Sequence, residues 1–335
     1  MIVLRRLATA LPSVGGVIVV TFLLTRALPG DPAIYFAGPA ATQQAIAEIR
    51  HSMGFDRSLP VQFFDYLRHL AQGDLGTSLT TGQSVMSELV TRLPASAELT
   101  LLALVLSVGI AVPLGIAAAL RPGSLVDHAC RMITTAGVSL PTFFTGLLLV
   151  YVFYYLAGWS PAPLGRLDVY SSAPAHWSGF YLIDSLIAGD FETFRAALAQ
   201  LILPAATMAI FSLAPLARIT RASMIGALGS EFLRTARASG LSRHRIIYVY
   251  ALRNALLPVI TTLGMVFSFM LGANVLVEKV FAWPGIGSYA VEALIASDYA
   301  PVQGFVLTMA LLYVLLNLIV DMVYGLVDPR VRLEA

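Results

Sequence analysis

The sequence predicts an all-α integral membrane protein: six transmembrane helices, with a small helical cap between the first and the second. Three observations lead there. The chain has 335 residues, of which 58% are hydrophobic and only 12% charged. A soluble domain carries ~25% charged residues, so this composition belongs in lipid. Six apolar stretches are long enough to cross a hydrocarbon core of ~30 Å, which takes ~20 residues at ~1.5 Å each. The arginines of the short loops all fall on one side of the membrane once those stretches are drawn as spans.

The N-terminal helix occupies residues 1–30, with its apolar part at 9–28. Arg5 and Arg6 precede it as in a signal peptide, but Thr25-Arg26-Ala27-Leu28-Pro29 offers no small-x-small cleavage site. The helix is therefore read as retained, with Arg26 snorkelling to the outer interface. Residues 31–93 form the cap. Ile46, Ile49 and Met53 share one helical face, as do Val61, Phe64 and Leu67. Gly73-Asp74-Leu75-Gly76 turns, and Val85 to Leu93 reads as a further short helix.

Residues 94–326 hold the other five spans, at 98–120, 133–157, 199–217, 257–277 and 303–326, and 327–335 form a tail. Glu98 falls at the expected start of the second span, where a carboxylate favours a helix N-terminus. Trp159, Trp177 and Tyr181 suit the membrane interface in the connecting segment 158–198.

Arg5 and Arg6, Arg121 and Arg131, the basic loop 218–256, and Arg330 and Arg332 must all lie inside. That requires an even number of spans and puts both termini in the cytoplasm, with the cap outside.

The loop 218–256 carries Arg218, Arg221, Arg234, Arg237, Arg243, Arg245 and Arg253 against one acid, Glu231. Gly229-Ser230-Glu231 starts a helix that Gly240 stops, and Ser242 caps another running into Ala255. Residues Glu231, Arg234, Thr235, Ala236, Arg237, Ala238, Ser239 and Gly240 thus form a short docking helix on the cytoplasmic face. Ala236 and Gly240 share a face, with Ser239 beside them, as a stripe of small residues open to close backbone approach.

No catalytic constellation is present. His-Glu-x-x-His and Gly-x-Ser-x-Gly are both absent, and the five histidines lie outside the spans. Lone Cys130 forms no intrachain disulfide, and Lys279, the only lysine, is not in a P-loop. Topology accounts for the arginines, which leaves no case for nucleic acid. Two features keep two readings each. Asn317 and Asp321 share a face of the last span, either as functional intramembrane groups or with Asp321 paired to Arg218 or Arg221. Phe281-Ala282-Trp283-Pro284-Gly285-Ile286-Gly287 turns into a helix whose apolar face is Val291, Leu294 and Ile295. Trp283, Pro284 and Gly285 then belong either to an outer gate or partner contact, or to a plain interfacial helix.

Arg218-Ile219-Thr220-Arg221-Ala222-Ser223-Met224, Arg234 to Leu241, and Ala251 to Pro258 together resemble the coupling loop of bacterial dipeptide and oligopeptide ATP-binding-cassette importer permeases. Phe281 to Gly287, Asp298-Tyr299 and Val302-Gln303-Gly304 are similar to that family's last outer loop. Leu28-Pro29-Gly30-Asp31-Pro32 resembles the permease with the long first outer loop, and Asp321 with Asp328-Pro329-Arg330 resembles its ending. The general permease pattern is met only at Ala236, Gly240 and Leu252, and its leading glutamate is missing.

The resemblance implies a type I importer permease in the bacterial inner membrane, itself not an enzyme. Its partners would be a second homologous permease, two cytoplasmic ATP-binding subunits that bind ATP and magnesium, and a periplasmic or lipid-anchored solute-binding protein, with lipid around the spans. The cargo implied is a di- or oligopeptide; nickel, opines, sugars and glutathione travel on similar scaffolds. The rival classes are a secondary transporter, which needs more intramembrane ionisable groups, and a membrane enzyme, which needs a catalytic set.

Overall fold

A computed structural model describes residues 2–27, 32–38 and 41–327. The chain is helical, and a lone bridge between Thr77 and Ser84 is the only strand-like pairing among the described residues. The first helices are α1 (Ile2–Ala27), α2 (Pro32–Ala37), α3 (Gln43–Ser52), α4 (Leu59–Ala71) and α5 (Val85–Leu120). Then come α6 (Leu125–Ser139), α7 (Thr142–Leu149), α8 (Tyr181–Ile187), α9 (Phe191–Leu228), α10 (Glu231–Ala238) and α11 (Arg243–Arg245). The last are α12 (Leu252–Val280), α13 (Ile286–Ile295) and α14 (Tyr299–Val327). Wide π-helical turns, Val150–Leu156 and Ile246–Ala251, extend α7 and join α11 to α12.

Among the described residues, four runs are long and apolar enough to cross a membrane: Val85–Leu120, Phe191–Leu228, Arg243–Gly272 and Tyr299–Val320. They contain the second and fourth expected spans and overlap the fifth and sixth, both shifted toward their N-terminal ends. The first and third expected spans correspond to shorter apolar helices, Leu11–Leu24 and Thr142–Leu156.

The expected third span, 133–157, is broken. Pro141 disfavours helical geometry in the residue before it, and Leu140 is extended at φ −108°, ψ 139°. Helix α6 therefore stops at Ser139 and a new helix starts beyond the proline. Conversely, Val85 to Leu93 is no separate helix but the first turns of α5, which continues through Pro94. Glu98 consequently lies well inside a helix rather than at its start.

The chain divides into two compact units, one of Met1–Ala95 with Pro284–Val314, the other of Ser96–Trp283 with Leu315–Ala335. The first has a core of Val85, Leu89, Ile286 and Tyr289, backed by Leu75, Leu93, Phe305 and Met309. Gly304 lets α14 approach α5 closely, because a Cβ there would sit 2.6 Å from Val85. In the cap, Thr42 caps α3 by accepting the N–H of Ala45 at 3.2 Å. Phe22 of α1 meets Phe63 edge-on at 5.1 Å and stacks on Tyr66 at 5.9 Å. The expected apolar face of α4 is thus displaced: Phe63 and Tyr66 make these ring contacts, while Val61 and Phe64 stay exposed.

In the second unit α9 is the central helix, packed on α6, α7, α8 and α12. Close crossings depend on glycine. A Cβ on Gly115 would lie 2.7 Å from Thr220, and one on Gly137 would lie 2.8 Å from the Ile210 carbonyl oxygen. Contacts this tight let helices pack without any driving force from water.

Candidate functional site

Helix α10 has eight residues, too few to be stable alone. Its hold on the rest of the second unit is a single fully buried side chain, Leu233, which enters a cluster of Ile116, Ala119, Met224, Ile246, Ile247, Ala251 and Ala255. Ala236 and Leu241 pack against the same cluster. Arg237 adds a polar tie, donating from Nη2 to the Leu228 carbonyl at 3.0 Å, where a cation suits the end of α9. Gly240 closes the helix in the left-handed region at φ +76°, with the Leu241 N–H returning to the Ala236 carbonyl at 3.3 Å. Ser230 precedes α10 without capping it, because its hydroxyl donates back to the Ala227 carbonyl.

This orientation revises the expected small-residue stripe. Ala236 is half-buried against the chain's own core, being three residues on from Leu233 and on its face. The free face instead presents Glu231, Phe232, Arg234, Thr235, Ala238 and Ser239. Glu231 and Arg234 form a loose exposed pair at 3.4 Å. Phe232, which the sequence reading passed over, is the large apolar group on that face. A Cβ on Gly240 would meet open space.

Asp127 fastens α6 to α9. Its carboxylate accepts two bonds from Arg221, at 2.5 Å from Nε and 2.9 Å from Nη2, and one from the Gly123 N–H at 2.9 Å. Arg131 stands 3.6 Å away. The Arg221 bonds, then the Gly123 N–H, hold the Asp127 carboxyl well below the usual carboxylate range. Arg221 is therefore tied to Asp127. The Asp321 side chain falls outside the described residues, and Asn317 is exposed.

On the segment 158–190 the sequence missed two anchors. Arg166, buried, donates from Nη2 to Glu98 at 2.6 Å and to the Gly179 carbonyl at 2.7 Å, with its guanidinium 3.4 Å from the Tyr181 ring centroid. Glu98 also accepts the Leu182 N–H at 2.8 Å, so it does serve a helix N-terminus, that of α8 rather than of its own helix. Asp184 accepts from the N–H groups of Trp177, Ser178 and Gly179 and from the Ser178 hydroxyl. Burial opposes ionisation of Asp184, but these bonds outweigh it and its pKa lies below normal. Between α5 and α12, buried Glu278 accepts from the Ser96 hydroxyl at 2.5 Å, and Asn274 donates to the Ser96 carbonyl and to Thr100.

Trp283 is not an interfacial anchor. The chain leaves α12 with Ala282 at φ +49°, which folds Trp283 back so that its backbone N–H bonds the Glu278 carbonyl at 2.7 Å and its ring is buried. Pro284 and an extended Gly285 lead into α13. That helix buries Ile286, Ser288, Tyr289 and Ala293, while Leu294 and Ile295 of its expected apolar face are exposed. Among the described residues, no three His, Cys, Asp or Glu side chains gather to hold a metal.

Long apolar helices, with connecting segments fastened to them through buried carboxylates, define a multi-pass membrane protein. The family model for the binding-protein-dependent transport system inner membrane component matches residues 111–333, and its N-terminal counterpart matches residues 1–100. The chain belongs to this family of transport-system membrane components. It is 42% identical to the di/tripeptide transport system permease protein DppB of Pseudomonas aeruginosa, over 98% of this chain and 97% of that protein. It is 43% identical to the probable D,D-dipeptide transport system permease protein DdpB of Escherichia coli, over 95% and 93% of the two chains. The dipeptide transport system permease protein DppB of Escherichia coli shares 37% identity over 98% of each chain.

Proposed function

We propose that this chain is one permease of an ATP-driven importer that carries di- or oligopeptides across the bacterial inner membrane. The peptide cargo is supported by relatives that match nearly end to end and are named as permeases of di/tripeptide, D,D-dipeptide and dipeptide transport systems. In this reading six spans cross the membrane, both termini are cytoplasmic, and residues 31–93 form a periplasmic cap. A second homologous permease completes the translocation path, a solute-binding protein delivers the peptide, and two cytoplasmic subunits bind ATP and magnesium and hydrolyse the ATP.

The observation that carries the mechanism is α10, a two-turn helix whose one fully buried anchor is Leu233, with lesser ties from Ala236 and Arg237 and its other residues presented outward. Its face of Glu231, Phe232, Arg234, Thr235, Ala238 and Ser239, with Gly240 at its end, docks on an ATP-binding subunit. When that subunit moves, Leu233 carries the displacement into α5 and α9 through Ile116 and Met224. The path then alternates between outward and inward access.

Cells lacking the gene should lose growth on a peptide that is their only source of a required amino acid, and regain it with the gene restored. Normal growth together with lost uptake of nickel, a sugar or glutathione would refute the peptide cargo and leave the architecture standing.

A further inference from the structure

Beside the cap, one guanidinium has no carboxylate within ion-pair reach among the described residues. Arg26, at the end of α1, lies over the rings of Phe22 and Phe55, 5.0 and 5.5 Å from their centroids. Its Nε donates to Gln62 Oε1 at 2.9 Å. Gln62 is itself clamped, donating from Nε2 to the carbonyls of Phe55 at 3.2 Å and Arg57 at 2.8 Å. The guanidinium is thereby oriented by two rings and a fixed amide, yet among the described residues no carboxylate lies within ion-pair reach of it. It faces a cavity of about 510 Å³ that Tyr66 and Gln303 also line. The other charged groups lining that cavity pair among themselves, Arg57 with Asp65 at 2.9 Å and His69 with Asp74 at 2.9 Å.

A snorkelling arginine needs none of this. Its charge is satisfied by water, and it needs no amide to fix its plane. A guanidinium held flat by aromatic rings, with its outer N–H groups uncommitted, is the usual receptor for a carboxylate, which it meets with two parallel bonds. The cavity also falls within the ~300–1,000 Å³ of small-molecule sites.

We propose that this cavity is a second, outer solute site in which Arg26 binds the C-terminal carboxylate of a short peptide before it enters the spans. The inference rests on the peptide-importer reading and on the cap facing outward. The peptide's ammonium end is left toward the mouth, where Asp65 and Asp74 can each exchange an exposed internal partner for it. Release is easy, because one charged anchor in a half-open cavity binds weakly.

The test uses the assembled importer, both permeases with their ATP-binding subunits, in nanodiscs without the binding protein. Saturation-transfer NMR measures the affinity of Ala-Ala and of its C-terminal amide. Loss of a charged hydrogen-bond pair should weaken binding at least about tenfold. That loss is expected for the amide on the wild-type complex and for Ala-Ala on Arg26→Gln, with Arg26→Lys retaining part of the affinity. Because the acid-against-amide comparison needs no variant, misfolding of Arg26→Gln cannot imitate it.

Equal binding of acid and amide, or full affinity in Arg26→Gln, overturns the site. Unchanged peptide affinity in Arg26→Gln, with weaker attachment of the peptide-free binding protein, also overturns it and makes Arg26 a docking contact. Proteoliposome uptake separates the two levels. Wild-type complex with binding protein that fails to import Ala-Ala sinks the peptide reading and this site with it. Normal import without any dependence of binding on Arg26 sinks the site alone.

Discussion

Replacing Leu233 by alanine tests how α10 is held. A fully buried leucine in a tight cluster contributes about 2–5 kcal/mol relative to alanine, depending on how far the cavity collapses. The wall here includes Ile116, Met224, Ile246 and Ile247, which belong to helices fixed by their own packing, so little collapse is available. A loss near ~3 kcal/mol falls almost wholly on the local opening of α10, since the other ties are the Arg237 bond and the partial contacts of Ala236 and Leu241. Such a loss raises the open fraction roughly a hundredfold. Amide hydrogen exchange across 231–239 should speed up accordingly in Leu233→Ala, with amides of α9 and α12 unchanged. In reconstituted importer, ATP hydrolysis should continue while transport per ATP falls. The contrast is Phe232→Ala on the free face, which should leave exchange unaltered and weaken attachment of the ATP-binding subunit. Unchanged exchange in Leu233→Ala, or the same exchange pattern in both variants, would refute the single-anchor argument.

Gly240 offers a second separation: with φ +76° and open space around it, Gly240→Ala and Gly240→Phe should each destabilise the free loop by about 1–2 kcal/mol, but only phenylalanine should block subunit attachment in a co-purification assay. Arg166→Met should strip protection from the segment 158–190 in limited proteolysis, because removing one partner of a buried ion pair costs about 3–5 kcal/mol, and adding Glu98→Gln should restore most of it. Two singles that add without coupling would rule that pair out as the anchor. Asp127 has a folded pKa below its ordinary value of 3.8, so its stabilising pair is fully present above that value and is lost only as pH falls toward the folded pKa. Protection of the Gly123 amide against exchange, corrected for intrinsic rate, should therefore be flat between about pH 5 and about pH 8 and be lost at all pH values in Asp127→Ala. Orientation is checked in a Cys130→Ala background with an impermeant maleimide added outside: cysteine at Asp56 or Asp74 should react and cysteine at Arg237 should not, and the reverse pattern inverts the topology.

What was legible in the sequence was legible because hydropathy and backbone chemistry act locally. Apolar runs mark the helices at Phe191–Leu228 and Tyr299–Val327, and Gly240 and Ser242 mark real boundaries through left-handed geometry and a hydroxyl that accepts the Arg245 N–H. Pro141 carried an equally local signal, but the length of the apolar run concealed the break. Facing was much less legible. On α10 the small residues suggested a docking stripe, yet Leu233 decides the orientation, and one leucine in eight residues gives no period to measure. On α4, Phe63 and Phe64 are adjacent and point to different sides, and only the position of Phe22 selects between them. Arg166 was invisible for another reason: its partner Glu98 is 68 residues away, with no pattern linking the two.

The acids make a more general point. In so apolar a chain each carboxylate reads as a candidate for transport chemistry, a reading that for Asp321 stands beside a structural pairing with Arg218 or Arg221. Four buried ones do something else: Asp298 accepts the N–H groups of Leu79 and Thr80, Asp184 those of Trp177, Ser178 and Gly179, Glu98 that of Leu182, and Asp127 that of Gly123. Each donor N–H belongs to a turn or a helix start, where no carbonyl of a regular helix is available to accept it. Inside a soluble protein water can fill that role, but next to lipid an unmet N–H costs several kcal/mol. A carboxylate meets several such donors at once and binds each more strongly than a neutral acceptor would. Asp298 shows how far this goes, since its Oδ2 alone also accepts the hydroxyls of Ser78 and Thr80, fixing the 78–80 turn against the residues before α14. Charge in these connecting segments is thus largely structural. Asp298→Asn separates this from a role in transport chemistry: a neutral amide oxygen still accepts two or more of those bonds, so the 78–80 turn should exchange its amides faster yet keep its position. Loss of transport with unaltered exchange would instead make Asp298 a functional group and break the argument at its strongest member.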